Sequence, residues 1–369
     1  MLTQSLFPLK ILVISNYNDF HTVRPEAEIF LHLAQKGFDI TVMTFGGSDY
    51  ARCFAEAGIR VIDFHPRHKF SRKEALIIRQ ELIRGDYDVL HLFNSQATVT
   101  GLRATRGLPV KVILYRGYTG NIQWWNPAAY LKYLHPRVDK VVCNSSGVEA
   151  LLQRQWTFRN DKAVTILKGH RPEWYADIDP ASLERFGVEE GDLVLVCVAN
   201  NRRMKGVPFL LKAFRHLPPG LPVQLILAGR DMDSPSNLRI VRKTAYAGRI
   251  HFPGFIPEVL RTVAAADVFV LPSLFGESIT KSAIEAMSLG LCPLITDIPG
   301  NVELVEDGKN GRVVPAGDAR ALAGAIMDMV KDRETCRRFG EAARRHIAEN
   351  LHHDATVEGY LRMYPSLDL

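Results

Sequence analysis

Residues 277–287 read Glu277-Ser278-Ile279-Thr280-Lys281-Ser282-Ala283-Ile284-Glu285-Ala286-Met287, with two carboxylates eight residues apart. An apolar run, Val268-Phe269-Val270-Leu271, precedes them and ends at Pro272-Ser273. A stretch of small residues follows and stops at Gly290. Strand, turn and helix in that order predict one unit of a parallel sheet. At about 1.5 Å rise per residue, a carboxylate in the turn and another about two helical turns on can grip two ends of an elongated ligand. The helix start between them offers unpaired amide N–H groups to an anion. A nucleotide-sugar has that form, with hydroxyls at both ends and a diphosphate in the middle.

Working outward, the same alternation covers the chain. Ile11–Ile14, Asp39–Thr44, Val61–Phe64, Val89–Leu92, Val110–Tyr115, Val138–Cys143 and Val164–Ile166 read as strands. Pro25–Gln35, Asp49–Ala57 and Arg72–Arg84 read as helices among them. A second series begins at Leu193–Val198 and runs through Gln224–Leu227, Ile250–Phe252, Val268–Leu271, Cys292–Ile295 and Val313–Val314. Both series predict parallel sheets with helices on both faces. A chain of 369 residues exceeds one ordinary core and suits two domains. The turn-rich stretch Gly169–Tyr175 marks the boundary, giving domains 1–170 and 171–354. Two doubly wound domains facing each other present the carboxyl ends of both sheets to a ligand.

The context of the glutamate pair carries a resemblance. Ala265-Ala266-Asp267, the apolar strand, Pro272-Ser273, Glu277, Glu285-Ala286-Met287, Gly290, Pro299-Gly300-Asn301, Glu303, Asp307-Gly308 and Asn310-Gly311 follow in order. The segment resembles the E-x7-E signature of retaining glycosyltransferases of family 4, which have the GT-B fold of two Rossmann-like domains across a cleft. The likeness is strong over 190–330 and weaker over 1–170. It implies transfer of a sugar from a nucleotide diphosphate sugar, with uracil the expected base, to a saccharide or lipid-linked glycan such as lipopolysaccharide core. It implies that a last helix, about 355–369, returns to the first domain. An epimerase of the same fold and a catalytically idle nucleotide-sugar-binding scaffold are the alternative readings.

The resemblance assigns roles residue by residue. Glu277 would hold the hydroxyls of the transferred sugar and Glu285 those of the ribose. The backbone of Ser278, Ile279 and Thr280 would contact sugar and phosphate. The strand Val196–Val198 runs into Asn200-Asn201-Arg202-Arg203-Met204-Lys205-Gly206, where the family supplies an Arg and a Lys to the diphosphate. Lys205-Gly206 matches. The usual Arg position is Asn200, so Arg202 and Arg203 are the candidates instead. Gly254-Phe255-Ile256 and Arg230 are the candidate walls for the base.

The first half departs from the pattern. The turn after its first strand, Ser15-Asn16-Tyr17-Asn18-Asp19-Phe20-His21, has no glycine. Asn18 and His21 are candidate acceptor contacts. Arg116-Gly117 stands where the family commonly has His-Gly, so Arg116 would face the reacting centre as a fixed cation, unable to act as a base. Trp124 and Trp125 are candidate sugar-stacking residues. Ser71–Arg84 reads as an amphipathic basic helix, facing either the core or an anionic membrane surface.

Charge and composition bound the rest. Residues 1–170 carry 22 Lys+Arg against 14 Asp+Glu, a balance of +8, and the remainder a balance of −2. A basic first half suits an anionic partner. Nucleic acid is not expected, because no dedicated binding motif is present. Five cysteines without CxxC spacing suggest reduced thiols in a cytoplasmic protein. Neither a signal peptide nor a membrane span is expected, since no apolar run approaches about 20 residues. No metal or other cofactor is expected. Asp86-Tyr87-Asp88 has the letters of a metal-binding acidic triplet but leads into an apolar strand. A glycosidase pair, a G-x-G-x-x-G dinucleotide turn and a G-x-S-x-G elbow are likewise not found.

Overall fold

The computed structural model of the protein describes residues 9–155 and 157–367. The chain divides into two compact units, Met1–Gly169 with His353–Leu369, and His170–His352.

The first unit runs β1 (Lys10–Ile14), α1 (Phe20–Gln35), β2 (Asp39–Thr44), α2 (Asp49–Glu56), β3 (Arg60–Asp63), α3 (Arg72–Gly85), β4 (Val89–Leu92), α4 (Ser95–Ala104), β5 (Lys111–Arg116), β6 (Lys140–Cys143), α5 (Ser146–Gln153) and β7 (Ala163–Thr165). Its seven-stranded sheet has the order β3-β2-β1-β4-β5-β6-β7, every pair parallel. The second unit runs β8 (Leu193–Val198), α6 (Val207–Ala213), β9 (Val223–Ala228), α7 (Pro235–Val241), β10 (Ile250–Gly254), α8 (Val259–Ala264), β11 (Val268–Leu271), α9 (Lys281–Ser288), β12 (Cys292–Thr296), α10 (Pro299–Val302), β13 (Arg312–Val314), α11 (Ala319–Lys331) and α12 (Arg333–Asn350). Its six strands are also all parallel, in the order β10-β9-β8-β11-β12-β13. Strands covered on both faces must be apolar on both faces. All six residues of β9 and all five of β12 are accordingly buried. The strand order reverses between β1 and β4 in one sheet and between β8 and β11 in the other. Ligands of such sheets bind beyond the carboxyl ends of the strands at that reversal.

The last helix, α13 (His353–Met363), belongs to the first unit. Val357, Tyr360, Met363, Tyr364 and Leu367 are buried in one apolar cluster with Ile11, Val13 and Phe30. Burial pushes the His91 ring down to about 3, so it stays neutral and shares a 2.7 Å hydrogen bond with the Tyr364 hydroxyl.

Two helices differ from the sequence reading. The first begins at Phe20 rather than Pro25, because Asp19 accepts the Thr22 amide at 3.1 Å and caps it; Pro25 lies inside the helix. Helix α4 was not expected from its weak formers Thr98, Val99 and Thr100. Asn94 starts it by accepting the Ala97 amide at 3.0 Å, and burial of seven of its residues holds it. The acidic triplet is structural: Asp86 ends α3 in a left-handed conformation, and Asp88 accepts the Lys10 amide at 2.8 Å.

Candidate functional site

In the second unit the two chain crossings that flank the strand reversal, after β8 and after β11, are locked together. Beyond β8 the chain makes a short turn, Arg203–Lys205, and enters α6 through Gly206 at φ +67°. A Cβ on Gly206 would fall 1.8 Å from the Pro272 carbonyl oxygen, so only glycine permits this approach. The Leu274 amide donates to the Met204 carbonyl at 2.7 Å and ties the same two segments. These contacts set Lys205 against Glu277, with Nζ 2.5 Å from Oε1 and only 17% and 11% of the two side chains exposed. Ser273 donates to the same carboxylate at 2.9 Å and Thr280 at 3.3 Å. The carboxylate is thus held from three sides.

Helix α9 starts at Lys281, and its N-cap residue Thr280 makes no side-chain capping bond. The Ala283 and Ile284 amides donate to the Thr280 carbonyl at 3.0 and 3.2 Å, which leaves those of Lys281 and Ser282 at the helix start for an anion. The Ser278 backbone beside it is pressed by Gly300, where a Cβ would come within 2.4 Å of the Ser278 carbonyl carbon. Asn301 fixes that second turn by donating to the Thr296 carbonyl at 3.0 Å, and Thr296 donates to the Ser273 carbonyl at 2.5 Å. Ser278 and Ile279 are buried. Thr296, Asn301 and Ser273 went unassigned in the sequence; Pro272-Ser273 and Pro299-Gly300-Asn301, quoted above, were the signal for two of them, and Thr296 had none.

Glu285 is 9% exposed on α9. Its carboxylate pairs with Lys281 one turn earlier. Lys281 is therefore a resting partner of the second signature carboxylate. Arg202 and Arg203 are exposed, and neither forms a side-chain ion pair among the described residues.

A groove of about 190 Å³ opens beside this, at the carboxyl ends of β8 and β9, with Val198, Ala199, Ala228, Phe255 and Ile256 among its walls. Phe255 is 63% exposed, and the Arg230 guanidinium stands 5.4 Å over its ring. The Gly254 carbonyl accepts the Gly229 amide at 2.8 Å and closes the turn. Of the four sequence candidates, Phe255 and Ile256 line this apolar slot, while Arg230 lies over the Phe255 ring and Gly254 closes the turn beside it.

In the first unit, Arg116 requires a correction. It ends β5 fully buried. Its Nε donates to the Tyr118 carbonyl at 2.7 Å and its Nη2 to the Gly120 carbonyl. The rings of Tyr118 and Tyr133 lie on the guanidinium, with centroids 3.4 and 4.3 Å away. Two carbonyls and two aromatic faces occupy the group, so it fastens the 117–120 turn rather than standing open to a sugar. Trp124 and Trp125 are 45% and 67% exposed and meet edge to face at 5.8 Å. Asn18 is exposed, its amide bonded to Asn16 Oδ1 at 3.1 Å. The side chain of His21 lies outside the described residues.

Comparison with known proteins accounts for this arrangement. Residues 180–346 match the model for glycosyl transferases group 1, and residues 27–174 that for glycosyltransferase family 4. The chain belongs to the family 4 glycosyltransferases and has their GT-B fold. It is 26% identical over 181 residues to the N-acetyl-alpha-D-glucosaminyl L-malate synthase of Bacillus anthracis, a match covering 49% of this chain and 47% of that enzyme. It is 27% identical over 285 residues to the phosphatidyl-myo-inositol mannosyltransferase of Mycolicibacterium smegmatis, covering 74% of this chain and 69% of that one. The fold matches the crystal structure of Anabaena HepE in complex with UDP at TM-score 0.78 and 18% identity, over 98% of this chain and 100% of that chain.

Proposed function

We propose that this chain transfers a hexose from a UDP-sugar, with retention and without a metal, to a saccharide or lipid-linked glycan such as lipopolysaccharide core. The observation that carries the reading is the Lys205–Glu277 pair at 2.5 Å beside the open start of α9. As the glycosidic bond breaks, negative charge grows on the leaving diphosphate. Lys205, Arg202 and the α9 amides supply positive charge there without a metal ion. Glu277, already held by Ser273 and Thr280, accepts hydroxyls of the transferred sugar. Glu285 accepts the ribose hydroxyls after parting from Lys281. Uracil stacks in the slot under Phe255 and Arg230. The crystallised complex of HepE with UDP supports the choice of base.

Calorimetric titration with UDP, GDP and ADP, without added metal, tests this. UDP is expected to bind with micromolar Kd, and Glu285→Ala to weaken it at least about tenfold, or ~1.4 kcal/mol. No nucleotide binding by the folded chain would end the donor-site reading. Product analysis then separates a new glycosidic bond from a free epimerised sugar.

The proposed place of work is the cytoplasmic face of an anionic membrane. Among the described residues no helix is long and apolar enough to cross one. Helix α3 instead buries Ala75, Ile78 and Leu82 and leaves Leu76, Ile77 and Ile83 outward at 54%, 41% and 60% exposure. Phe70 precedes them at 65% exposure, and Arg72, Lys73 and Arg84 are exposed on the same helix. Apolar residues with a basic fringe suit an anionic interface. The chain is expected to sediment with phosphatidylglycerol vesicles at low salt, and Leu76→Asp with Ile83→Asp to abolish this while UDP affinity is kept. Sedimentation of wild type and double variant alike would refute this face.

A further inference from the structure

Two of the five cysteines meet in the second unit, at the amino ends of its strands and so at the opposite end of the sheet from the donor site. Cys292 opens β12, and Cys336 is the fourth residue of α12, which packs on that strand. Both are buried in one apolar cluster with Leu193, Val268 and Phe339. Helix and strand come into backbone contact there. Gly340 stands one turn after Cys336 on the same face of α12. A Cβ on Gly340 would fall 2.0 Å from the Gly290 carbonyl oxygen and 3.2 Å from the Cys292 amide nitrogen, so the seat admits only glycine. This contact lays Cys336 over Cys292, and the two thiols share a hydrogen bond. A thiolate on Cys336 accepts the Cys292 S–H. That bond first, with Arg333 adding to it, holds Cys336 below the ordinary thiol value, and the same bond and burial push Cys292 above it. Of the five thiols Cys336 alone is held low: burial pushes Cys143 and Cys197 up to about 12 and raises Cys53 as well. A cavity of about 300 Å³ leads to the pair, with Asp267, Gly290, Arg333, Cys336 and Arg337 among its walls. Cys336 lines it, and Cys292 lies behind.

We propose that Cys336 and Cys292 form an oxidant-sensitive dithiol site, in which Cys336 meets hydrogen peroxide in this cavity and Cys292 then closes a disulfide onto it. The inference goes beyond the nucleotide-sugar reading and does not rest on it. The Cys336 thiolate attacks one peroxide oxygen, and the O–O bond breaks. Cys336 becomes a sulfenic acid, and the other oxygen leaves as hydroxide and takes up the thiol proton to give water. The Cys292 sulfur then attacks the Cys336 sulfur and gives up its proton, and the sulfenic oxygen departs as a second water. Two thiols lose two electrons, and one peroxide is reduced to two waters. The bond ties α12 to β12 and closes the segment 292–336 into a loop. That loop includes Gly300 and Asn301, which back the Ser278 turn at the donor site.

The full chain, reduced and then freed of reductant, is treated with hydrogen peroxide while folded. It is next denatured, alkylated and mapped by tryptic mass spectrometry. Two of the five thiols are expected to disappear, with one cross-linked peptide pair joining 292 to 336, and dithiothreitol is expected to restore both. Cys292→Ala removes the closing thiol, so Cys336 is expected to stay a sulfenic acid that dimedone traps. Cys336→Ala is expected to lose no thiol under the same treatment. Cys53→Ala, which removes the half-buried cysteine of the first unit, is expected to keep the 292–336 link. Circular dichroism of the reduced variants checks that they fold, and the mapping of wild type decides without them. No thiol loss in the folded wild type overturns the site. So does a disulfide between any other two cysteines, or undiminished thiol loss in folded Cys336→Ala.

Discussion

Lys205→Met is expected to lower kcat by about 10²–10³-fold, the range found when one preorganised donor to developing negative charge is removed. The effect should fall on kcat more than on KM, because the leaving diphosphate gains charge only as the sugar departs. A second effect accompanies it. Lys205 Nζ lies 2.5 Å from a Glu277 carboxylate that is 11% exposed. Removing the lysine strands that charge. Breaking a fully buried pair costs roughly 3–5 kcal/mol. Here the Ser273 and Thr280 hydroxyls still hold the carboxylate, so a loss of about 2 kcal/mol is expected. The two effects separate in Lys205→Met/Glu277→Gln. Neutralising both partners should restore most of the stability and none of the activity. Urea unfolding with initial-rate assays on wild type, both single variants and the double variant reads this directly. A double variant that regains activity would show that Lys205 serves only to neutralise Glu277.

Gly206→Ala is expected to be more damaging to the fold than any charge change at the site. An alanine at φ +67° costs about 1–2 kcal/mol by conformation alone. Its Cβ would also sit 1.8 Å from the Pro272 carbonyl oxygen, backbone that has no side-chain freedom to yield. The 272–274 segment must then move, and the 2.7 Å bond from Leu274 to Met204 goes with it. A total of about 3 kcal/mol or more is expected, equivalent to a fall of roughly 6–12 °C in Tm for a unit of this size. UDP affinity should fall as well, because Lys205 and Glu277 are set by those two segments. Gly220→Ala is the matched control. Its φ is +85°, but nothing lies within 4 Å of the added Cβ, so only about 1 kcal/mol is expected. Scanning calorimetry on the two variants separates close approach from conformation. Equal Tm shifts would mean that the Gly206 turn and Pro272 are not in the contact described.

The neighbourhood of Lys205 and Glu277 in the second unit was legible in the sequence because it is local. Lys205-Gly206 and Glu277 each follow a strand by a few residues, so the strands and the glycine already place them. Tertiary choices were not legible. Lys281 and Glu285 stand four apart in the sequence, yet four residues on a helix only permit a pair. Whether the carboxylate takes Lys281 or stays open depends on what surrounds α9. Arg116 was correctly put at the end of a strand, but Tyr133, which covers it, lies seventeen residues on and arrives only with the loop between them. Helix α3 shows a third kind of failure. Leu76, Ile77, Ile78, Leu82 and Ile83 point nearly all round it, so periodicity alone does not choose the buried face. Packing chose Ala75, Ile78 and Leu82.

The return of α13 to the first unit has a consequence for the order of events on the ribosome. The second unit is one unbroken stretch, His170–His352, and has all its residues as soon as it is made. The first unit is made earlier but must wait for Val357, Tyr360, Met363 and Tyr364 to close its core. Between Gly169 and His353 lie 183 residues, on the order of 10–40 s of synthesis at about 5–20 residues per second. For that interval the nascent first unit would expose the apolar seat of Ile11, Val13 and Phe30 to water and to its neighbours. The half synthesised first is then the last to finish, and a chaperone that shields nascent chains would matter more to it than to the half that follows.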